Sequence, residues 1–418
     1  MLSLRRRLAP YRSRSSNPAL PSTASQFHAD QIRACADAGK HIFCEKPIAT
    51  DLLETIEAVN YCRKKGVKLM TALQRRFDPN FGRIKQAIVD GEVGEPITVK
   101  LCSRDPAPPP FEYVKGGGGI FKDMAVHDLD MSRFLMGSEP VRVLATGSCN
   151  IDKSIEVLEG PEAFDTASII VQFENGKDAI IDVCRQAPYG YDQRAEVLGT
   201  EGMVLSENVA PSAVRKFTKE FVGQADMPFD FFMSRYKEAY VGETVAFIEA
   251  LLADKPAPCS GRDGLVALVM AMAAGKSAVE GRWVDFGEII RLECIGETCN
   301  FGTLLNEEGK LGQNWVRGAL LSIERDPNSF SDIRETFYLF DTNIDGMLNY
   351  DESSQIYSIM GIELSKDEER KYFAAADEDG DGQITFRQFL AQYKAHGTEV
   401  AEEDAALKGM FNFQNMMD

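Results

Sequence analysis

Two twelve-residue segments near the C-terminal end share one pattern of oxygen-bearing side chains, and this pattern constrains the chain more than any other feature. Residues 341–352 read DTNIDGMLNYDE, and residues 377–388 read DEDGDGQITFRQ. Each segment has Asp or Asn at positions 1, 3 and 5, glycine at position 6 and an aliphatic residue at position 8. Alternate oxygens around a sharp glycine turn supply the shell of roughly six to eight oxygens that a calcium ion requires.

The two segments differ at position 12, where the pattern calls for a glutamate that gives two oxygens to the ion. The first segment has Glu352 there, whereas the second has Gln388, a neutral amide with one oxygen. We therefore expect two calcium sites of unequal affinity. Leu348 and Ile384 share position 8, which predicts that the loops pair in the manner of a calmodulin-type EF-hand pair. The predicted ligands are Asp341, Asn343, Asp345, Met347 through its carbonyl, Glu352, Asp377, Asp379, Asp381, Gln383 and Gln388.

The charge of the chain is concentrated around these loops. The net charge is −18, and residues 331–418 alone hold 19 acidic and 7 basic residues. Nucleic-acid binding requires basic patches, so this balance argues against a nucleic-acid partner. No apolar run approaches about 18 residues, so no membrane span is expected.

The cysteines and the N-terminal composition bear on localisation. Nine cysteines are widely spaced and form no CxxC motif, which indicates reduced thiols in an intracellular protein, cytoplasmic or mitochondrial. The first 29 residues contain five arginines and no acidic residue. This composition is typical of a transit peptide. A disordered basic tail or a mispredicted first exon would give the same composition.

The order of predicted elements changes near Pro96. Before it, helices at 26–38 and 51–65 alternate with short strands at 41–44 and 67–73, which predicts a parallel α/β sheet. After it, strand-like runs dominate and indicate an open sheet covered by helices on one face. The predicted strands are 97–102, 141–147, 166–173, 179–184, 195–199 and 203–206, and the predicted helices are 121–136, 236–253 and 264–280.

These patterns predict an α/β part, then an α+β open-sheet domain, then an all-α EF-hand domain. The expected divisions are a basic leader at 1–21, the α/β part at 22–92, the α+β domain at 93–290, a connector at 291–330 with a short helix near 315–324, the EF-hand pair at 331–396 and an acidic tail at 397–418.

Three segments in the body carry a further pattern. Glu45-Lys46-Pro47 follows a predicted strand, Asp123 and His127 stand four residues apart on a predicted helix, and residues 189–199 read YGYDQRAEVLG. In this order they resemble the Gfo/Idh/MocA family of NAD(P)-dependent dehydrogenases, and within it the inositol 2-dehydrogenase-like members. The resemblance covers residues 22–286. It implies that the α/β part is a remnant of a Rossmann domain, a partial dinucleotide-binding domain at 22–92, and that the α+β domain at 93–290 is the substrate domain.

The chemistry of alcohol oxidation suits these residues. His127 is the natural base, because its ordinary pKa lies near about 6.5. Asp123, one helical turn earlier, is expected to orient the imidazole and favour its charged form. Lys46 follows a strand, at the edge where α/β sheets bind ligands. An isolated histidine on a helix, or a lysine before a proline, can equally be structural.

The resemblance implies further roles for residues of the body. Lys46 is expected to contact both the substrate hydroxyl and the cofactor, NAD or NADP, with Glu45 and Pro47 beside it. Arg75 and Tyr191 match positions that line the polyol pocket, and Asp192 could accept a polyol hydroxyl. Family members tend to assemble through the open sheet face, which implies a homo-oligomer.

One departure from the family pattern affects the expected activity. No GxGxxG sequence occurs in the chain, and only 44 residues precede Glu45. Residues before Pro21 show no strand–turn–helix pattern, so we expect the first three βα units to be missing and cofactor anchoring to be impaired. The sequence thus predicts a calcium-binding protein with an inositol or polyol dehydrogenase-like body of doubtful activity. The alternative is a non-catalytic, calcium-responsive binding module that reuses the same fold.

Overall fold

The computed structural model describes residues 18–21, 25–289, 347–359, 365–377, 380–385 and 388–389. The leader before residue 18, the short helix expected near 315–324 and the acidic tail lie outside these residues. The chain divides into two compact units, the first ending at Trp283 and the second beginning at Val284. In the described residues, no helix is both long enough and apolar enough to cross a lipid bilayer.

The first unit begins with two parallel strands packed against two helices, as the sequence predicts. Strand β1 pairs with strand β2 in parallel register, with Ile42 opposite Leu69. The Asp51 side chain accepts a hydrogen bond from the Glu54 amide, which caps the second helix. These elements are α1 (His28–Asp37), β1 (Ile42–Glu45), α2 (Leu52–Lys64) and β2 (Leu69–Ala72).

Residues 18–21 run beside β1, which the sequence analysis did not expect. The Ala19 amide donates to the His41 carbonyl at 2.9 Å, and the Phe43 amide donates to the Ala19 carbonyl at 2.9 Å. Ala19 therefore forms a parallel bridge with Ile42. Because Pro18 and Pro21 carry no amide hydrogen, the pairing remains a bridge and does not extend into a regular strand.

A helix that the sequence analysis did not identify connects this part to the large sheet. Helix α3 (Pro79–Val89) begins with proline in its first turn, and the Asp78 side chain accepts hydrogen bonds from the Asn80 and Phe81 amides. An Asp-Pro pair of this kind is a helix start signal that the sequence carried.

A large mixed sheet forms the centre of the first unit. Its first-unit strands lie in the order β4-β5-β6-β3-β7-β8. Strands β3 and β6 are parallel, and the other neighbouring pairs are antiparallel. The strands are β3 (Pro96–Arg104), β4 (Pro140–Ser148), β5 (Thr166–Phe173), β6 (Asp178–Cys184), β7 (Asp192–Gly199) and β8 (Met203–Ser206).

Helices cover one face of this sheet, as expected. Helix α8 packs on β4, and helix α5 packs on β3. The opposite face exposes apolar side chains, among them Ile170, Ile180 and Leu205. The helices are α4 (Phe111–Gly117), α5 (Val126–Met136), α6 (Phe232–Arg235), α7 (Lys237–Leu252) and α8 (Gly261–Glu280), and a hairpin of β9 (Arg215–Phe217) and β10 (Val222–Ala225) precedes α6.

The helix expected at 121–136 is not uniform. Its first five residues, Phe121–Ala125, form a π-helical turn, and α5 continues from there. A π turn closes its hydrogen bonds five residues apart. Side chains four residues apart across this turn are therefore not stacked as they would be on an α-helix.

In the second unit, the two calcium-loop segments pair through short strands. Leu348 lies opposite Ile384 in antiparallel register, which confirms the pairing predicted from position 8 of each loop. The rings of Tyr350 and Phe373 stack edge to face with centroids 5.6 Å apart. The elements are β11 (Val284–Asp285), β12 (Met347–Asn349), α9 (Tyr350–Ile359), α10 (Lys366–Ala376) and β13 (Gln383–Thr385).

We predict that Gly199→Ala destabilises the first unit. A Cβ at residue 199 would overlap the Val93 carbonyl oxygen, which is backbone and cannot move aside cheaply. Overpacking of this kind costs roughly 1–3 kcal/mol of unfolding free energy. Gly202→Ala is the matched control, because its nearest neighbour would be the Val93 side chain at 3.7 Å. Equal unfolding free energies of the two variants in denaturant titrations would contradict this packing.

Candidate functional site

The site is built around an ion pair between Lys46 and Asp123. Lys46 follows β1 directly, at the carboxyl end of the parallel strand pair, and Asp123 lies in the π turn before α5. The Lys46 Nζ donates to the Asp123 carbonyl oxygen at 2.6 Å and lies 3.2 Å from its carboxylate Oδ1. The fold therefore brings together two of the three residues that the sequence analysis named as catalytic.

Asp123 has two more partners besides Lys46. Arg185 Nη2 donates to its Oδ2 at 2.7 Å, and the Tyr113 hydroxyl donates to its Oδ1 at 3.0 Å. Burial opposes the charge of this carboxylate, but Lys46 and Arg185 outweigh burial and lower the pKa of Asp123 to about 2. Asp123 is thus a fixed negative charge at neutral pH.

His127 is buried near this pair but is not held by it. Within the described part of the chain, its Nδ1 atom has no hydrogen-bond partner. Burial, with the charges of Lys46 and Arg75 adding to it, holds the pKa of His127 well below its usual value. The expectation that Asp123 would orient His127 and favour its charged form is therefore wrong. The π turn changes the spacing on which that expectation depended.

Two cavities meet at the Lys46–Asp123 pair. The first, called the His127 cavity, has a volume of about 630 Å³, and its polar lining includes Lys46, Arg75, Asp105, Asp123, His127, Arg185 and Tyr191. The second, called the glycine-loop cavity, also has about 630 Å³ and is lined by Pro47, Thr50, Thr71, Lys122 and residues 116–118. Lys46, Tyr113 and Asp123 line both cavities. A ligand in either cavity would therefore have the Lys46 ammonium at one end.

Arg75 and Tyr191, which the resemblance assigns to the polyol pocket, both line the His127 cavity. Arg75 Nη1 donates to the Asp128 carboxylate and to the Ser103 hydroxyl, both at 2.8 Å. The Tyr191 ring packs edge to face against Phe231, with centroids 6.2 Å apart. Charge pairing behind Arg75 and aromatic packing beside Tyr191 make this wall of the cavity rigid.

Asp192 does not lie in the His127 cavity. Its carboxylate accepts hydrogen bonds from the Tyr189 hydroxyl and the Arg194 guanidinium, and it lines a separate groove. Successive residues of an extended chain point to opposite sides, so Asp192, the first residue of β7, points away from the side that Tyr191 faces. The geometry gives no support for the predicted contact of Asp192 with a polyol hydroxyl.

Two charged residues of the His127 cavity were not identified from the sequence. Asp105 directly follows β3 and Arg185 directly follows β6, and Arg185 Nη1 donates to Asp105 Oδ2 at 3.1 Å. The carboxyl ends of parallel strands meet at one edge of a sheet and commonly bind ligands there. Their positions directly after β3 and β6 are visible in the sequence, but they point to one site only once these strands are known to be parallel neighbours.

Glu45 and Pro47 flank Lys46 on different sides. Glu45 lines the His127 cavity, and burial raises its pKa against the opposing charges of Lys46 and His28. Pro47 lines the glycine-loop cavity, and its carbonyl lies 2.8 Å from Nδ1 of His28. The EKP segment thus forms part of both cavity walls.

The calcium loops are described in part. Asp377 accepts hydrogen bonds from the amides of Gly380 and Asp381 through Oδ1 and from Gly382 through Oδ2. Gly380 and Gly382 have positive φ angles of 70° and 85°, which glycine adopts without strain. The loop backbone thus wraps around the side chain at position 1, the geometry that an EF-hand loop requires. Among the expected ligands, Asp341, Asn343, Asp345 and Asp379 lie outside the described residues.

Position 12 has the same place in both loops. Glu352 Oε2 accepts from the Asn349 amide at 3.0 Å, and Gln388 Oε1 accepts from the Thr385 amide at 2.7 Å. In the second loop the amide oxygen of Gln388 also accepts from the Thr385 hydroxyl at 2.7 Å.

The remaining predicted ligands that the structure describes lie in or beside the paired strands. Asp381 Oδ1 accepts from the Gln383 amide at 2.9 Å. Met347 lies in β12. In the ranges that the structure describes, no group of three or more His, Cys, Asp or Glu side chains is arranged to hold a metal ion.

Three family models match the chain in succession. Residues 18–73 match the oxidoreductase family with the NAD-binding Rossmann fold, and residues 81–205 match the GFO/IDH/MocA C-terminal domain. Residues 330–394 match the EF-hand domain pair.

Individual relatives agree with these matches. Inositol 2-dehydrogenase of Rhizobium meliloti is 45% identical over 264 residues, which cover 63% of this chain and 78% of that protein. Myo-inositol 2-dehydrogenase of Thermotoga maritima is 39% identical over 271 residues, 65% of this chain and 80% of that protein. A crystal structure of scyllo-inositol dehydrogenase from Lactobacillus casei with bound NAD(H) and scyllo-inositol is 27% identical, with a TM-score of 0.58 over 67% of this chain and 83% of that chain.

We predict that His127 stays neutral in the folded protein well below pH 6.5. Its imidazole can be followed by NMR and assigned with His127→Asn, since the chain has only four histidines. Because the pKa is lower in the folded than in the unfolded state, the neutral ring contributes stability that is fully present above about pH 6.5. This contribution falls by up to about 1.4 kcal/mol per pH unit as the pH decreases further. A His127 titration at or above the ordinary value would contradict the geometry.

Proposed function

Because the chain belongs to the Gfo/Idh/MocA oxidoreductase family, we propose that its body binds inositol or a similar polyol in the His127 cavity and is organised to oxidise one ring hydroxyl to a ketone. An EF-hand pair follows this inositol dehydrogenase-like body. The observation that carries the proposal is the position of Lys46, held by Asp123 where the two cavities meet. One cavity is assigned to the polyol and the other to the nicotinamide end of the cofactor.

The residues of the chain suit the proton chemistry of this reaction. Oxidation removes the hydroxyl proton and transfers hydride from the carbon; NAD(P), when bound, supplies the hydride acceptor. The Lys46 ammonium donates a hydrogen bond to the reacting oxygen and stabilises its developing negative charge. His127 lines the same cavity and is neutral, so its imidazole can accept the hydroxyl proton. Asp123 keeps the Lys46 ammonium in place.

Recognition of the polyol ring is assigned to the walls of the His127 cavity. Asp105 faces the cavity with one oxygen on Arg185, and its carboxylate can accept hydrogen bonds from ring hydroxyls. Arg75 and Tyr191 also line the cavity and provide donors, and Glu45 borders the same space. Both acceptors and donors around a compact cavity are what a polyhydroxylated ring requires.

The cofactor fit is partial. The glycine-loop cavity offers a cradle of Pro47, Thr50 and residues 116–118 next to the Lys46 ammonium, which suits the nicotinamide and its ribose. The 418-residue sequence contains no GxGxxG turn, the element that binds the pyrophosphate in dinucleotide-binding folds. We therefore propose that this polypeptide binds NAD or NADP weakly and turns over slowly, since remote binding energy positions the reacting ring.

A second candidate function is a non-catalytic binding module. The polyol side of the site is complete among the described residues, whereas the pyrophosphate motif is missing from the sequence. A polyol could therefore bind without being oxidised. In this candidate function the EF-hand pair makes the module responsive to calcium.

We propose that both loops of the EF-hand pair bind calcium and that a homo-oligomer forms through the open face of the large sheet. Each loop places its position-12 side chain over the adjacent strand, and the Asp377 side chain is encircled by loop amides. On the sheet, Ile180, Leu198 and Leu205 expose apolar side chains around the Lys100–Glu196 ion pair. Such a surface favours association with another protein surface.

The first prediction of this proposal concerns catalysis. The 418-residue protein should reduce NAD or NADP with myo-inositol at a rate close to the uncatalysed background, followed by the absorbance of the reduced nicotinamide. Fusing a strand, a GxGxxG turn and a helix to its N-terminus should restore turnover, because the cofactor ring is then held within about 3–3.5 Å of the reacting carbon.

Lys46→Ala in the fused protein is the control and should abolish the restored activity. Turnover by the unfused protein at rates typical of dehydrogenases would contradict the proposed impairment. A folded fusion that binds NAD and myo-inositol without turnover would favour the non-catalytic module.

The second prediction concerns calcium. Calorimetric titration of the full chain should resolve a tighter and a weaker site, because Glu352 supplies a charged, two-oxygen ligand and Gln388 does not. Glu352→Gln should weaken the tighter site by roughly tenfold or more, and Gln388→Glu should strengthen the weaker one. Two sites of equal affinity, or an absence of heat at millimolar calcium, would contradict the assignment.

A further inference from the structure

Arg185 bridges two carboxylates in the wall of the His127 cavity. Its Nη2 atom donates to Asp123 Oδ2 at 2.7 Å, and its Nη1 atom donates to Asp105 Oδ2 at 3.1 Å. Nη2 also lies 3.5 Å from the Gly119 carbonyl oxygen. The Arg185 side chain is 8% exposed, so these contacts are made largely out of water. One planar cation thus fixes the relative position of two acidic side chains that come from different elements.

The carboxylate of Asp123 divides its oxygens between two sides. Oδ1 faces Lys46 after β1 and the Tyr113 hydroxyl on α4, and Oδ2 faces Arg185 after β6. Lys46 alone could hold a carboxylate that rotates about its side-chain torsion. Arg185 removes that freedom, because a guanidinium fork fixes the direction as well as the distance of its partner.

We propose that Arg185 is a positioning residue that clamps Asp123 from the side away from Lys46 and so fixes the Lys46 ammonium where the two cavities meet. The role of Lys46 in polyol binding rests on the proposed function, whereas the clamp itself rests on the geometry. Arg185 does not need to touch the reacting atoms. It acts through Asp123.

Removal of the guanidinium would leave Asp105 and Asp123 as neighbouring carboxylates in a buried wall. Burial raises the pKa of Asp105, which Arg185 counteracts and the charge of Asp123 reinforces. Without Arg185, repulsion between the two acids raises the pH at which the pair first takes up a proton. Lys46 and Tyr113 remain in contact with Asp123. Because the Asp123 carboxyl group is then protonated part of the time, it holds the Lys46 ammonium less firmly.

The protonation of the two carboxyl groups can be measured directly by NMR. In protein with ¹³C-labelled aspartate side chains, the variants Asp105→Asn and Asp123→Asn identify which carboxyl resonance belongs to which residue. In the wild type, the Asp123 resonance should report an ionised carboxylate until the pH approaches its pKa of about 2. In Arg185→Gln, the Asp105–Asp123 pair should take up a proton at a pH at least about two units higher than in the wild type. An unchanged titration would overturn the proposal.

Two variants separate the clamp from a general loss of structure. Arg185→Lys keeps the charge but cannot bridge both carboxylates, so the titration should shift in the same direction by a smaller amount. This variant also keeps the test open if Arg185→Gln does not fold. Arg104→Gln removes a comparable arginine that pairs with Asp182 outside the His127 cavity, and it should leave the Asp105 and Asp123 titrations unchanged.

Polyol binding supplies a second readout. Calorimetry of the full chain with myo-inositol should give Arg185→Gln a weaker affinity than the wild type even at pH 9, because Asp123 is no longer held in one direction, and a further loss of roughly tenfold once the pH falls below the raised pKa of the Asp105–Asp123 pair. An equal loss at every pH would indicate a structural role and overturn the clamp. If the wild type binds no myo-inositol at any pH, the proposed function fails, and the carboxyl titration still decides the role of Arg185.

Discussion

The Lys46–Asp123 ion pair is the interaction on which the candidate site depends. It joins the residue after a strand of the parallel sheet to the π turn before α5, 77 positions later in the chain. Burying two charges costs several kcal/mol each, and only close pairing with further hydrogen bonds offsets that cost. Here Arg185 and Tyr113 provide those bonds to Asp123. Because both cavities end at this pair, their positions relative to each other follow from it.

Asp123 and His127 differ in charge, and this difference gives them different roles in the site. Asp123 is permanently charged and serves as an anchor, whereas His127 is buried without a charged partner and remains available as a base. The sequence suggested an Asp–His couple, in which one residue tunes the other. The structure has a Lys–Asp–Arg arrangement with the histidine beside it. This arrangement keeps the positive charge on Lys46, where the proposed reaction would develop negative charge on the polyol oxygen.

Particular residues show how much of this could be predicted from the sequence. Glycine turns, an aliphatic residue at position 8 and a strand–helix alternation predicted the EF-hand pairing and the parallel β1–β2 pair, because these are local patterns with fixed geometry. The π turn was not predictable, since helical periodicity does not reveal one inserted residue. Asp105 and Arg185 were missed because their meeting depends on which strands are parallel neighbours. Asp192 was misplaced because a strand boundary decides which face each residue occupies.

The polyol side and the cofactor side of the site differ in what the chain supplies. The His127 cavity has its own charges, aromatic wall and ion pair, whereas the sequence has no GxGxxG turn for the pyrophosphate. The most direct test of the account is therefore a crystal structure of the protein grown with millimolar myo-inositol. The account predicts a ring in the His127 cavity, with one hydroxyl on the Lys46 ammonium, Lys46 still on Asp123, and His127 beside the same hydroxyl. A ring bound elsewhere, or a Lys46 that leaves Asp123 and points away from the ring, would contradict it.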